Sequence, residues 1–159
     1  MSKSNLNQIG LDVKGADQLI EKLNDLLANY QVFYQNTRGF HWNIKGEKFF
    51  ELHLKFEELY NDLQLKIDEI AERILTLGGT PLHAFADYLN HAEIKPVQNM
   101  THGPDCVKNI LEAFKTLLVK ERVLLDLSAE INDEGTNAMA SDYIREQEKL
   151  VWMYSAYLK

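Results

Sequence analysis

The chain has 159 residues, the length of one domain that can bury a core without disulfides. Its composition, 45% hydrophobic and 26% charged residues, is that of a globular protein, and a single cysteine, Cys106, excludes an internal disulfide. The formal net charge of −7 disfavours a generic nucleic-acid binder, because an acidic surface repels phosphates and attracts cations. No run of about 18 apolar residues predicts a membrane span, and residues 1–10 lack the apolar stretch of a signal peptide, so we expect a cytoplasmic protein.

Two long amphipathic helices are predicted in the first half of the chain, over about Ala16–Trp42 and about Phe49–Leu77. The second helix has the cleaner pattern, because its apolar residues advance by three or four positions throughout and therefore share one face. These residues are Leu52, Phe56, Leu59, Leu63, Ile67, Ile70, Ile74 and Leu77. Gly78-Gly79, followed by Pro81, supplies the stop signal.

The second half is predicted to hold one short helix and two long ones. The short helix, in the connection after the second long helix, is indicated by Leu82, Phe85 and Leu89. A third long helix starts near Pro104, and its apolar residues again follow helical spacing: Ile110, Phe114, Leu117, Leu124 and Leu127. After an acidic turn over residues 132–135, Thr136 is predicted to cap a fourth long helix that reaches almost to Lys159.

These elements predict an all-α fold, because no strand pattern competes with them. The expected architecture is a four-helix bundle with one long crossover, carrying the short helix, between helices 2 and 3. We expect a single domain over residues 1–159, in which residues 1–15 form a flexible N-terminal arm.

A second face of helix 2 carries side chains that could bind a metal. Residues of this face recur every three or four positions: His53, Glu57, Tyr60, Gln64, Asp68 and Glu72. Carboxylates alone would suit an ordinary solvated helix face. However, Asp68 and Glu72 form an i, i+4 chelating pair, and a tight connection should place His41, at the end of helix 1, at the same end of the helical pair as His53. Two imidazoles and two carboxylates suit Fe(II) and, less distinctively, Zn(II) or Mn(II).

Helix geometry limits how these four residues can act together. His53 and Asp68 are fifteen positions apart, hence ~22 Å along one helix, whereas metal–ligand bonds are only ~2 Å. Either the residues are unrelated, or two copies of the helix pack antiparallel about a two-fold axis near Tyr60 and Asn61. In the second case, the histidines of one chain meet the carboxylates of the other, so that the metal-site hypothesis predicts a homo-oligomer.

Several sequence segments closely resemble the Dps family of miniature ferritins, and the resemblance extends from about Leu19 to Leu158. The segments are RGFHWN (residues 38–43), FFELH (49–53), KFEELY (55–60), DEIAER (68–73), LGG (77–79) and QEKLVWMYSAYL (147–158). The spacing of His41, His53, Asp68 and Glu72 matches the ferroxidase ligands of that family position for position.

This resemblance implies a ferritin-like four-helix subunit and a hollow shell of twelve subunits. It also implies that one or two irons bind at each two-fold interface, where Fe(II) is oxidised, preferably by hydrogen peroxide. Ferric mineral is then stored inside the shell, and the cell is protected from oxidative damage. The Glu-x-x-His signature of larger ferritins is absent from the sequence, which favours an intersubunit site over a site within each bundle.

Several other residues have both a functional and an ordinary structural interpretation. Glu57 is expected to be either a secondary iron ligand or a solvated glutamate, and Trp42 either an auxiliary radical acceptor or a packing residue. In the family, carboxylates near the end of the third long helix and the turn after it line three-fold pores through which iron enters. The candidates here are Asp126, Glu130, Asp133 and Glu134, and ordinary surface charge is the alternative. His83, His91 and His102 are expected at the surface, and Cys106 in the core.

Two other functions remain open. Some Dps proteins compact DNA through a lysine-rich tail, but residues 1–15 contain only Lys3 and Lys14, partly balanced by Asp12, so DNA binding is expected to be weak or absent. A di-metal oxygenase or an inert helical scaffold is the third possibility. An oxygenase of this class would need a carboxylate cluster within one subunit, which the sequence does not show.

Overall fold

The computed structural model describes residues 5–159 and confirms the all-α four-helix bundle. The helices are α1 (Val13–Asn43), α2 (Phe49–Thr76), α3 (Phe85–His91), α4 (Gly103–Glu130) and α5 (Glu134–Tyr157). The short helix α3 lies in the crossover between α2 and α4, as the spacing predicted. Between residues 5 and 159, none of the helices is long and apolar enough to cross a membrane.

Two helical hairpins form the bundle, α1 with α2 and α4 with α5, and α1 also packs against α3 and α4. The apolar stripes of the four long helices meet in one continuous core. Burying each large apolar side chain contributes about 1.5–3 kcal/mol, which outweighs the modest helix-forming tendency of any one segment. The largest fully buried side chains include Tyr30, Phe33, Phe56, Phe114, Leu19, Leu23, Leu63, Ile70 and Ile110.

The crossover runs back along the bundle and is fastened to α1 by asparagine side chains. The Asn29 side-chain oxygen accepts from the backbone N–H groups of residues 93 and 94, each at 3.0 Å. Asn36 accepts from the N–H of Val97 and donates to the carbonyl of Lys95, both at 2.9 Å. These bonds satisfy the crossover backbone, which has no helix of its own there. The crossover ends beside the α1–α2 loop, where the Lys45 N–H donates to the Thr101 carbonyl at 3.0 Å.

The flexible N-terminal arm predicted over residues 1–15 overlaps the first long helix. Helix α1 begins at Val13, and the Asp12 side chain caps it by accepting from the Gly15 N–H at 2.9 Å. Before it, Asn7 donates to the Leu77 carbonyl at 3.4 Å and so ties this segment to the end of α2. The prediction of an arm is therefore wrong for residues 13–15, which are helical. Lys3 lies outside the described residues.

Two helix ends test the predicted stop signal of α2 and the predicted N-cap of α5. Helix α2 ends at Thr76, and Gly78 follows with φ +97°, a left-handed conformation that glycine adopts at little cost; the predicted stop is confirmed. The predicted cap of α5 is wrong. Asp133, not Thr136, is the N-cap residue, since its carboxylate accepts from the Thr136 N–H at 3.0 Å and the helix begins at Glu134.

Candidate metal centre

Two histidines meet where α1 passes into α2. His41 lies in the last turn of α1 and His53 in the second turn of α2, and the short loop between the helices folds them together. Their rings stack in parallel, with centroids 3.9 Å apart and an interplanar angle of 11°. His41 is buried and His53 is half-buried. The structure confirms the prediction that both imidazoles lie at one end of the helical pair.

Hydrogen bonds determine which nitrogen of each ring carries the proton. His41 Nδ1 lies 2.6 Å from the His53 carbonyl oxygen, and His53 Nδ1 lies 2.8 Å from the His41 carbonyl oxygen. A carbonyl oxygen only accepts, so each Nδ1 donates its hydrogen. In a neutral imidazole this leaves the Nε2 lone pair free, which is the form of histidine that binds metals. The His41 carbonyl is available because the last four carbonyls of a helix have no intrahelical partner.

Aromatic neighbours hold the two rings in place. Phe49 stacks on His53 with centroids 5.0 Å apart and an interplanar angle of 16°, so that Phe49, His53 and His41 form one column. Tyr60 meets His41 edge-on at 5.3 Å. Side chains that packing already orders lose little conformational entropy when a metal binds. The nitrogen half of the candidate site is therefore preorganised.

Two carboxylates form the oxygen half of the candidate site. Asp68 and Glu72 lie one turn apart on the exposed face of α2. A hydrogen bond to Asp68 and the negative charge of Asp68 raise the pKa of Glu72, with smaller contributions from desolvation and from Glu69. Two like charges this close repel each other. A divalent cation bound to both would relieve that repulsion.

The nitrogen and oxygen halves are far apart within one subunit. Helix α2 is continuous from Phe49 to Thr76, and fifteen positions separate His53 from Asp68, which corresponds to ~22 Å along the axis. Among residues 5–159 of a single chain, no group of three or more His, Cys, Asp or Glu side chains could hold a metal ion. The structure brings together the two histidines and, separately, the two carboxylates, but not the two pairs.

Trp42 and Glu57 lie next to the two histidines in the sequence and along α2, respectively. Trp42 exposes 56% of its surface, and the Arg38 guanidinium lies over its ring at 4.7 Å from the centroid. Arg38 also lies over Tyr60, at 5.8 Å. Glu57 follows His53 by one turn of α2 and is half-buried. Within the subunit, Trp42 therefore contacts Arg38 and leaves more than half of its surface exposed.

The acidic residues assigned to an iron-entry pore do not form a uniform set. Asp126, Glu130 and Glu134 are exposed. Asp133 is only 3% exposed, and its carboxylate lies 2.6 Å from the Arg73 guanidinium while capping α5. A carboxylate held by an ion pair and a helix terminus inside the subunit is not available to line a pore. The assignment of Asp133 to the pore is therefore wrong.

A polar cluster that the sequence pattern did not predict lies inside the bundle. The Tyr30 hydroxyl donates to Glu121 Oε1 at 2.6 Å and accepts from Gln147 Nε2 at 2.5 Å. These three residues, the inner triad, are at most 1% exposed. The signal was present in α4, where Glu121 falls four positions after Leu117 and three before Leu124, at an apolar position of the helix.

The remaining histidines and the cysteine lie where they were expected. His83, His91 and His102 are exposed, and Cys106 is fully buried. Burial raises the pKa of the Cys106 thiol to about 11, so the reactive thiolate is disfavoured. Within residues 5–159, none of these four belongs to a group of side chains that could hold a metal ion in a single chain.

The chain is similar to known proteins over nearly its whole length. A family model for the ferritin-like domain, Ferritin, matches residues 20–159. The crystal structure of the Dps protein from Vibrio cholerae O1, a member of a broad superfamily of ferritin-like diiron-carboxylate proteins, matches with a TM-score of 0.96. The two sequences are 55% identical, and the match covers 100% of both chains.

Two relatives known from sequence are also similar. The DNA protection during starvation protein of Porphyromonas gingivalis is 43% identical over 155 residues, which cover 98% of each chain. An uncharacterized protein of Haemophilus influenzae is 52% identical over 156 residues, covering 98% of this chain and 96% of that one. The similarity thus includes both helical hairpins and the crossover.

Proposed function

The chain belongs to the Dps family of ferritin-like proteins, and we propose that it oxidises Fe(II), preferably with hydrogen peroxide, and stores the ferric mineral inside a shell of twelve subunits. Membership of this family supports a role in iron storage or DNA protection in general. The diiron-carboxylate superfamily implies iron binding. The proposed oxidation site is the outer ligand set, which consists of His41, His53, Asp68 and Glu72.

The observation that carries the proposal is the reciprocal pair of hydrogen bonds between the two histidines. Each Nδ1 donates to the carbonyl oxygen of the other residue, at 2.6 and 2.8 Å, and each Nε2 is left as a potential ligand. Imidazole nitrogens and carboxylate oxygens together suit Fe(II), although Zn(II) and Mn(II) accept the same donors. Two stacked histidines with both Nδ1 atoms engaged are poorly explained as ordinary packing residues.

A second subunit would complete the site. The midpoint between His53 and Asp68 falls near Tyr60 and Asn61, so two copies of α2 packed antiparallel about a two-fold axis there would join nitrogen and oxygen halves twice per dimer. Each such site would hold one or two irons. Two apolar residues of α2 near this axis support the packing, because a second subunit would cover them. Leu54 is 58% exposed and Leu65 is 69% exposed.

The ligand types explain how the reaction would proceed. Where a site holds two Fe(II) ions, each would give one electron to hydrogen peroxide, the O–O bond would break, and two protons would complete two molecules of water. Because the electrons arrive as a pair, no hydroxyl radical is released. The carboxylates favour Fe(III) over Fe(II), since they add negative charge beside the more highly charged ion. The ferric product passes to the interior mineral, and the cell is protected from oxidative damage.

Other residues would support this reaction. Glu57 is proposed as the ligand of a second, weaker iron, and Trp42 as an auxiliary site that accepts radicals. Asp126, Glu130 and Glu134 remain candidates for an acidic pore through which Fe(II) enters, since a ring of carboxylates concentrates cations. A cytoplasmic location is proposed as well.

DNA compaction is the second candidate function, because several relatives carry the name DNA protection during starvation protein. The net charge of −7 per subunit opposes it, as does an N-terminal segment with only two lysines in residues 1–15. Phosphate contacts by Lys and Arg supply most non-specific affinity for DNA. We therefore expect little or no gel shift of duplex DNA at physiological salt, and a tight complex there would favour the DNA-binding function instead.

Subunit mixing tests the shared site. A His41→Ala/His53→Ala variant and an Asp68→Asn/Glu72→Gln variant should each fail to oxidise Fe(II). In a mixed dimer one interface site has four altered ligands, whereas the other has all four native ligands. Shells disassembled, mixed and reassembled should therefore regain part of the activity that neither variant shows alone.

Mass spectrometry of the reassembled shells establishes that mixed dimers are present, and light scattering establishes the assembly size. The control is each variant carried through the same reassembly alone, which should stay inactive. If mixed dimers form and no activity returns, the ligands do not complement each other across the two-fold axis, and the shared site is wrong.

A further inference from the structure

The inner triad contains two buried oxygens that no donor satisfies. Tyr30 connects the other two residues through its hydroxyl, at 2.6 Å to Glu121 and 2.5 Å to Gln147. Among the described residues, Glu121 Oε2 and Gln147 Oε1 are the buried side-chain atoms without a hydrogen-bond partner. Leaving a buried acceptor unpaired costs about 1–3 kcal/mol, and more when it is charged. A native core rarely keeps two such atoms in one cluster.

The cations around Glu121 are already engaged by other carboxylates. The charge of Lys66, a buried residue of α2, lowers the pKa of Glu121, but the Lys66 ammonium is bound by Asp62 at 2.7 Å and by Glu146 at 2.8 Å. Two carboxylates on one ammonium leave little positive charge for a third. An ionised Glu121 would therefore lie in the core without a counterion of its own, which is costly.

The other charged and titratable neighbours do not supply a counterion either. Arg122, next in the chain on α4, is half exposed and pairs with Glu148 at 2.9 Å. From α5, the Tyr143 hydroxyl donates to Glu69 at 2.7 Å and is not free for Glu121. Tyr30 of α1 and Gln147 of α5 are neutral. The surroundings of Glu121 thus favour a neutral side chain.

A proton on the Glu121 carboxyl group would give both unpaired oxygens a hydrogen-bond partner. The protonated Oε2 is a donor, and the buried acceptor in the same triad is Gln147 Oε1. We propose that Glu121 is held in the folded bundle as a neutral carboxylic acid that donates to Gln147, so that the inner triad is a proton-dependent latch joining α1, α4 and α5. This inference is independent of the proposed iron chemistry.

The acid–base behaviour of Glu121 agrees with this geometry. Burial raises the pKa of Glu121 from 4.5 to about 7, although the Tyr30 hydroxyl, the nearby Gln147 side chain and the charges of Lys66 and Arg122 lower it in part. Because the folded pKa lies above the unfolded one, the latch contributes its full stability below pH 4.5. That contribution declines as the pH rises towards 7 and is gone above it.

The Glu121→Gln substitution tests the latch. The glutamine amide keeps an acceptor for Tyr30 and places a permanent N–H donor where the proton would be. Melting temperatures of assembled wild-type and E121Q shells are compared from pH 5 to pH 8.5. The two should differ least at pH 5, and E121Q should melt ~5–10 °C higher at pH 8. Glu112→Gln, an exposed glutamate on the same helix, is the control and should show no pH-dependent difference.

Infrared spectroscopy reads the proton directly and needs only the wild-type protein. At pH 6 the spectrum should contain the carbonyl band of a buried carboxylic acid, which disappears at pH 8.5 and is missing from E121Q. Light scattering at each pH verifies that the shells compared have the same size. A spectrum without this band at pH 6 would overturn the proposal, and so would melting curves of wild type and E121Q that run parallel at every pH.

Discussion

The outer ligand set and the inner triad are both polar clusters on the long helices, yet their hydrogen bonds differ. In the outer set, the histidines use one nitrogen each for the backbone, and the carboxylates lie exposed on α2. In the inner triad, hydroxyl, carboxyl and amide groups bind one another and are fully buried. The outer set therefore retains nitrogen and oxygen atoms that can bind a metal. In the inner triad, only two buried oxygens lack a hydrogen-bond partner.

This difference shows that the location of a polar group matters as much as its chemical type. Glutamate occurs in both clusters. Glu72 lies at the surface, where its pKa is raised mainly by its neighbour Asp68; the pKa of Glu121 is raised mainly by burial. A bound cation would relieve the repulsion between Glu72 and Asp68, whereas a bound proton would remove the cost of burying the Glu121 charge. Substitutions should accordingly separate activity from stability.

The largest expected effect is on activity and comes from the outer set. Asp68→Asn and Glu72→Gln remove negative charge but keep approximate shape, and both side chains are exposed, so folding should be retained. The rate of Fe(II) oxidation should fall by more than about 100-fold, since losing a group that merely orients a ligand costs about 10–100-fold. Stopped-flow absorbance of ferric product measures the rate, and thermal unfolding measures stability.

The matched control is Glu51→Gln, which alters another exposed carboxylate on α2 and should leave the rate unchanged. An Asp68→Asn/Glu72→Gln protein that oxidises Fe(II) at the wild-type rate would show that these carboxylates are only surface charges. If this variant fails to fold, the two carboxylates are required for stability, as the inner triad is.

The smaller expected effect is on stability and comes from the inner triad. Tyr30→Phe removes the hydroxyl that joins Glu121 and Gln147, and so leaves further buried polar atoms unpaired. The free energy of unfolding should fall by about 1–3 kcal/mol, with Fe(II) oxidation retained. Denaturant unfolding and the stopped-flow assay measure the two quantities. Tyr157→Phe, at a partly exposed position of α5, is the control and should change neither; a Tyr30→Phe protein of unchanged stability would contradict the structural role.

Much of the fold could be predicted because the helical signals are local. The apolar stripe of α2, the glycines after it and the proline at the start of α4 are each read from a few neighbouring residues, and the structure places these helix ends within a residue or two. The position of α3 followed from three apolar residues in the crossover. That His41 and His53 lie at the same end of the helical pair was also predictable, because a short loop brings the ends of two antiparallel helices together.

The errors occur where a side chain is held by residues distant in sequence. Asp133 was assigned to a pore, but Arg73, sixty residues earlier in the chain, draws it into an ion pair. The same carboxylate, and not Thr136, caps α5, because it accepts a hydrogen bond from the Thr136 N–H. Glu121 was overlooked because a single polar residue in an apolar stripe is noticed only when its partners on α1 and α5 are known.

The sequence by itself determined the helices, the two pairs of metal-ligand candidates and the ~22 Å that separates the pairs, because periodicity and helix rise are properties of a contiguous segment. The tertiary structure alone decided which histidine nitrogens remain free, which acidic residues are exposed and how the inner triad closes. These features depend on hydrogen bonds between residues up to 117 positions apart, such as that from Gln147 to Tyr30. Only the packed bundle, which excludes water from these groups, selects the partner that each polar atom finds.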